Sequence, residues 1–343
     1  MIEAPFILII AIIGIALVFD FTNGFHDSAN SISTVVSTKV LSPRNAVIFA
    51  AFFNFIAAFG FGVAVASTIA KIIELGVVDT VMVPYIILAA LTGAIAWNLI
   101  TWFFGLPTSS SHALIGGIVG AGISAAGLAA IKWSTVQLVV AFMILSPLIG
   151  LMCGFAVMAL VLNVTRNANK KKAESHFKTL QLVAAATNCF GHGTNDAQKT
   201  IGIIIPLLFS IGYFGVSADV NNLPVPFWVI MIAYITISLG TLSGGWRIVK
   251  TMGYKITKLR PVHGFAANAA SSATILGASV MGIPVSTTHI ICTSIMGVGS
   301  TQGISTVKWG VARTIMWAWI LTIPISAFIG FMSFVMIRLI VGA

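Results

Sequence analysis

The stretch Gly24-Phe-His-Asp-Ser-Ala-Asn-Ser-Ile32 returns in altered form as Gly193-Thr-Asn-Asp-Ala-Gln-Lys-Thr-Ile201, which places Asp27 and Asp196 169 positions apart. A second pair, Gly105-Leu-Pro-Thr-Ser-Ser-Ser-His112 and Gly282-Ile-Pro-Val-Ser-Thr-Thr-His289, repeats at a spacing of 177. Lys132-Trp133 and Lys308-Trp309 follow at 176, and Pro147 and Pro324 at 177. Four matches in the same order at nearly one spacing make an internal duplication. Both acidic copies stand inside long apolar runs. Of the 343 residues, 58% are hydrophobic and 8% charged, against about 25% charged in a soluble domain. So few charges cannot cover a soluble protein of this size, which excludes cytosolic, secreted and disordered classes. The chain reads as an all-α polytopic membrane protein.

Apolar stretches lie near 6–38, 46–70, 83–104, 109–128, 136–162, 180–215, 226–245, 262–281, 284–303 and 314–340. With spans of roughly 20 residues, this predicts about 10–12 membrane segments, some of them broken or re-entrant. Asp20, Asn23, His26, Asp27 and Asn30 interrupt the first stretch, and Asn188, His192, Asn195, Asp196 and Lys199 the sixth. Gly24, Gly191 and Gly193 offer places for those helices to break. The opening Met1-Ile-Glu has no basic n-region, so the first stretch reads as a retained span rather than a signal peptide.

The net charge of +10 does not indicate nucleic acid. Five of the 18 basic residues fall within 166–178 and five within 247–260, between apolar stretches, where such clusters mark cytoplasmic loops and lipid headgroups. With both clusters inside, both termini lie outside. Five crossings per half is odd, so the second repeat is inverted relative to the first. The expected organisation is a first inverted repeat over 1–165, a short basic cytoplasmic linker over 166–178, and a second inverted repeat over 179–343. Inverted repeats with interrupted helices at matching places mark secondary transporters, with the site at the repeat interface. Cys153, Cys189 and Cys292 show no metal-ligand spacing, and no cofactor motif is present.

Each half supplies one acidic and one hydroxyl motif. Ser109, Ser110, Ser111, Ser286, Thr287 and Thr288, each run opening a helix after Pro107 or Pro284, suit an oxyanion at a helix N-terminus. Asp27 and Asp196 repel an anion and bind Na⁺ or protons. Importing a divalent anion against an inside-negative potential costs about 4.6 kcal/mol per 100 mV, so accumulation needs a coupling cation, Na⁺ or H⁺. Lys199 either neutralises Asp196 or attracts the anion. His112 and His289 read as orienting neighbours, and Gly116 and Gly120 as helix-packing positions.

At Asn23-Gly-Phe-His-Asp-Ser-Ala-Asn30, Gly193-Thr-Asn-Asp-Ala-Gln-Lys199, Pro107-Thr-Ser-Ser-Ser-His112 and Pro284-Val-Ser-Thr-Thr-His289 the chain resembles the inorganic phosphate transporter (PiT) family over essentially its whole length. The resemblance implies import of inorganic phosphate with Na⁺ or H⁺, a homodimer in the cell (inner) membrane, and no ATP. It implicates Asp27, Asn30, Thr194, Asn195 and Asp196 with the two hydroxyl runs; Asp27, Asn30, Asn195 and Asp196 fall to the coupling cation, with Na⁺ at Asp27 and Asp196. His26 stands where many animal members carry Asn before the Asp, and so resembles bacterial members described as proton-coupled. The long central loop of animal relatives is missing. A sulfate or other oxyanion symporter of the same architecture, or an anion channel, uses the same residue types. An enzyme is disfavoured by the absence of Gly-x-Ser-x-Gly, and an ATP-driven pump by the absence of a Walker A motif.

Overall fold

The computed structural model describes residues 6–60, 62–215 and 223–341. Met1, Ile2 and Glu3, on which the reading of the N-terminus rests, lie outside them. Twelve α-helices follow one another among the described residues. The first half holds α1 (Phe6–Ser37), α2 (Pro43–Ile56), α3 (Ala64–Ala70), α4 (Val83–Phe104), α5 (Ser110–Ala126) and α6 (Trp133–Val164). The second holds α7 (Lys170–Ser210), α8 (Phe227–Ser243), α9 (Trp246–Lys250), α10 (Pro261–Val280), α11 (Thr287–Ser300) and α12 (Trp309–Val341). Six helices per half in matching order reproduce the duplication. Residues 170–178 of the basic segment form the first turns of α7. α1, Thr80–Phe104, α6 and α12 are each long and apolar enough to cross a membrane. This is a multi-pass membrane protein.

The expected breaks in the first and sixth stretches are not there: α1 and α7 run as unbroken helices of 32 and 41 residues. A helix satisfies its own backbone whatever its side chains, and the polar side chains of these two face each other instead of lipid. On α1, Asp20, Asn23, Asp27, Asn30 and Thr34 recur at three- and four-residue spacing, which is one helical face, and all are buried. On α7, Gln181, Asn188, His192, Asn195, Asp196 and Lys199 make a similar stripe, also buried. Thr200 Oγ1 donates to Asp20 Oδ1 at 2.8 Å, Asn188 Nδ2 to the Asn30 carbonyl at 3.2 Å, and Thr38 Oγ1 to Gln181 Oε1 at 3.1 Å. As residue number rises along α1, that of its α7 partner falls. The two equivalent helices are therefore antiparallel, which is what inversion of one repeat against the other requires.

Gly24 and Gly193 permit this packing. A Cβ on Gly24 would run into the backbone carbonyl of Ile237 on α8, and one on Gly193 into that of Asn54 on α2. Each glycine thus lets a first helix of one half touch the second helix of the other. The exchange continues outward: α5 packs between α4 and α12, and α11 between α10 and α6. Along the first contact, Gly116 and Gly120 bring α5 against the α12 backbone, the packing role expected of them. The packing units are consequently not the sequence halves. α4, α5 and α12 pack on one another, as do α6, α10 and α11, with α10 also packed along α7, and α1 packs on α8 and α7, and α2 on both as well.

The turns that aim the hydroxyl runs are also duplicated. Gly105 and Gly282, at φ +65° and +70°, take the left-handed conformation that favours glycine at a helix C-terminus. Four residues without regular secondary structure follow each before the next helix starts, the last of them, Ser109 or Ser286, in extended conformation. Thr251 Oγ1 holds the Gly105 carbonyl at 2.8 Å, and Thr68 Oγ1 holds that of Gly282 at 2.7 Å. Each turn is thereby pinned by the opposite half.

Candidate functional site

The two turns end on matching N-caps. Ser109 Oγ accepts the His112 N–H at 3.2 Å, and Ser286 Oγ accepts the His289 N–H at 3.1 Å. Both hydroxyls are spent on starting a helix. The next residues of each run then meet the acidic motifs. Ser110 Oγ donates to Asp27 Oδ2 at 2.7 Å. Thr288 Oγ1 donates to Asp27 Oδ1 at 3.3 Å, and Thr287 Oγ1 to Asp196 Oδ2 at 3.4 Å. Asn30 Nδ2 bonds both threonine hydroxyls, at 3.2 and 2.9 Å.

Ligand atoms of Asp27, His192 and Asp196 all lie within 4.8 Å of one another. One carboxylate from each half has come to a single buried point, as the duplicated motifs led one to expect. An ammonium and two imidazoles surround the pair. His26 Nδ1 is 2.6 Å from Asp27 Oδ1, Lys199 Nζ 2.8 Å from Asp196 Oδ1, and His192 Nε2 3.2 Å from Asp196 Oδ2. Lys199 therefore neutralises Asp196 here. Oxygen donors remain. Asn30 Oδ1 and Asn195 Oδ1, both buried, accept no hydrogen bond among the described residues. Two carboxylates with two free amide oxygens are a donor set that fits a hard cation. The N–H groups of Ser110, Ser111, Thr287 and Thr288, at the two helix starts, likewise have no acceptor among the described residues.

Other expected site residues are placed differently. Ser111 Oγ donates to the Val285 carbonyl at 3.1 Å and so ties one turn to the other. Thr194 Oγ1 bonds back to the Phe190 carbonyl at 2.9 Å, within α7. Asn195 Nδ2 donates to Ser279 Oγ at 3.0 Å, fixing α7 against α10. His112 and His289 meet edge-to-face at 4.9 Å between ring centres, and His289 stacks on Trp319 at 3.9 Å. Both histidines thus pack where the two turns meet.

Three contributors were not singled out from sequence. Thr101 and Thr108 approach His26 Nε2 at 3.2 and 3.4 Å, and Asn54 Oδ1 approaches His192 Nδ1 at 3.3 Å. Thr101 and Asn54 stand in apolar runs as isolated polar residues, where membrane-depth polarity was the one signal available; Thr108 belongs to the polar run that ends at His112.

A duplicated helical bundle that buries carboxylates and hydroxyl-tipped helix N-termini at one point has the build of a membrane transporter. Comparison with known proteins gives the family. Residues 23–330 match the phosphate transporter family, and the chain belongs to it. It is 48% identical over 325 residues to a protein of Rhizobium meliloti (strain 1021) named "Probable low-affinity inorganic phosphate transporter", covering 94% of this chain and 95% of the relative. A Bacillus subtilis (strain 168) protein of the same name is 44% identical over 341 residues, covering 97% and 98%. A solved structure named "The sodium-dependent phosphate transporter" superimposes with a TM-score of 0.89 at 26% identity, covering 97% of this chain and 99% of that one. The family is one of transporters, not enzymes.

Proposed function

We propose that this protein imports inorganic phosphate in symport with a cation, Na⁺ or H⁺, by alternating access. The observation that carries the reading is the meeting, at one buried point, of a carboxylate and a hydroxyl-lined helix N-terminus from each half. Four backbone N–H groups and the hydroxyls of Ser110, Thr287 and Thr288 suit a tetrahedral oxyanion. Ser109, Ser111 and Ser286 hold those helix starts in place, while Thr194 and Asn195 hold α7 beside them. Asp27 and Asp196 repel the anion until a cation joins them, with Asn30 and Asn195 as further oxygen ligands. An anion that binds well only after the cation has bound is coupled to it, and the coupling is reciprocal.

The names of the relatives favour phosphate over other oxyanions. The structural neighbour is named as sodium-dependent, which favours Na⁺; His26 against Asp27 provides a protonatable partner for the H⁺ alternative. In this reading both basic segments face the cytoplasm, both termini face out, and the protein works as a homodimer in the inner membrane. The interlocked packing groups, rather than the sequence halves, are the bodies that move.

Labelled phosphate uptake into proteoliposomes, at clamped potential with an imposed Na⁺ or H⁺ gradient, tests the proposal. Uptake above equilibrium is expected with one of the two gradients. Uptake that stops at electrochemical equilibrium under both makes the protein a channel and removes symport.

A further inference from the structure

Three carboxylates are buried among the described residues, and the cluster above uses two of them. The third is Asp20. It lies seven residues before Asp27 on the same face of α1, about 10 Å along the axis. Its Oδ1 accepts from Thr200 Oγ1 at 2.8 Å, while its Oδ2 accepts from nothing among the described residues. Asp27 and Asp196 each have a cationic or protonatable side chain in contact; Asp20 has none. The ionisable groups whose fields reach it are Asp196 and Lys199 on α7 and Tyr234 on α8. Of these the one cation, Lys199, is committed to Asp196.

The neighbourhood repeats the pattern. Asn23 stands between Asp20 and Asp27 on the same face, three residues from one and four from the other. Neither of its side-chain polar atoms has a partner among the described residues. Asn98 on α4, one turn before the Thr101 that touches His26, is likewise without side-chain partners. Asp20, Asn23 and Asn98 are all 0% exposed. A native fold rarely leaves so many buried polar atoms without partners in one place, and an ionised carboxylate at that depth requires a positive charge beside it.

We propose that Asp20 holds a second coupling cation, with the Thr200 hydroxyl and Asn23 Oδ1 as the other oxygen donors. This rests on the symport reading above. The site would lie at the N-terminal end of the polar stripe, one step removed from the central pair. Because Asp20 belongs to α1 and Thr200 to α7, an ion here also ties the two halves together.

The test reconstitutes the wild-type protein and D20N in liposomes and measures phosphate and cation uptake together, labelled Na⁺ in one arm and protons by an internal pH dye in the other. The two arms identify the cation. At zero potential, with a tenfold inward gradient of the driving cation, D20N is expected to move one cation fewer per phosphate. Its limiting phosphate accumulation then falls about tenfold, since each coupled cation contributes one factor of the gradient. Asp20→Glu keeps the wild-type ratio. A wild-type ratio and accumulation in D20N overturn the proposal and leave the pocket to water. Should D20N fail to fold, Thr200→Val and Asn23→Ala are measured instead. A several-fold rise in the cation concentration for half-maximal uptake is expected in each, and no change in either overturns the site. A wild-type protein without cation-driven accumulation sinks the symport reading itself; a coupled wild type with an unaltered D20N sinks the Asp20 site alone.

Discussion

Asp196→Asn is expected to lose concentrative phosphate uptake entirely and to be less stable than the parent by about 3–5 kcal/mol. The carboxylate holds Lys199 Nζ at 2.8 Å and His192 Nε2 at 3.2 Å, and accepts from Thr287 Oγ1 at 3.4 Å. Asparagine keeps the size and removes the charge, which strands the Lys199 ammonium in a site that is 1% exposed. An unpaired buried charge costs far more than a broken surface pair. The two effects can be separated. Adding Lys199→Met removes the stranded charge and fills its space with a flexible apolar chain. Denaturation in detergent should then show most of the stability restored, while uptake stays absent under the proposal that Asp196 holds the coupling cation. If D196N/K199M transports phosphate uphill, Asp196 serves only to neutralise Lys199 and has no part in coupling. Asp27→Asn is expected to abolish accumulation with a smaller loss of stability. Its contacts are the His26 ring at 2.6 Å and the hydroxyls of Ser110 and Thr288, so asparagine there strands no ammonium.

The duplication and its inversion were legible because both are written in sequence spacing and in the placing of basic residues. Motif spacings of 169 and 177 became helices α1 and α7, and turns at Gly105 and Gly282, in matching places. Asp27 and Asp196 hold equivalent places in the two sequence repeats, and the structure brings them to one point. The breaks expected in α1 and α7 did not occur, because glycine and polar residues signal interruption only where lipid or water faces them. Here the polar side chains of one helix meet those of the other, and Gly24 and Gly193 sit against a neighbouring backbone. Nor could sequence sort the hydroxyl runs residue by residue. Ser109, Ser110 and Ser111 are consecutive and alike, yet one caps a helix, one bonds Asp27 and one bonds the Val285 carbonyl. That sorting depends on the backbone conformation at a single residue, Ser109, where extended chain becomes helix. Contacts such as Asn54 with His192 join positions 138 apart with no motif at the Asn54 end. The exchange of helices between halves was hidden for the same reason: a repeat in sequence does not say which copy its helices pack against.

Gly24→Ala and Gly193→Ala are expected to be damaging single-carbon changes in the first and seventh helices. In an unobstructed helix, glycine to alanine stabilises by roughly 0.5–1 kcal/mol. Gly14, on α1 with nothing near its missing Cβ, should show that gain and serves as the control. At Gly24 the added methyl meets the Ile237 carbonyl, and at Gly193 the Asn54 carbonyl. Neither neighbour is the tip of a flexible side chain, so relief requires the helices to separate. Overpacking of this kind costs about 1–3 kcal/mol and at times more, enough to reverse the propensity gain. The separation also falls within one turn of the site. Gly24 precedes Asp27 by three residues, and Gly193 precedes Asp196 by three, so the displacement reaches the distance between the two carboxylates. Loss of stability and loss of uptake should therefore appear together at both positions. The competing view, in which these glycines are hinges that bend the helices during transport, makes the opposite forecast for stability. On that view alanine stiffens the helix, the protein becomes harder to unfold, and transport alone suffers. Thermal or denaturant unfolding of the two variants beside Gly14→Ala in the same detergent decides between close contact and hinge.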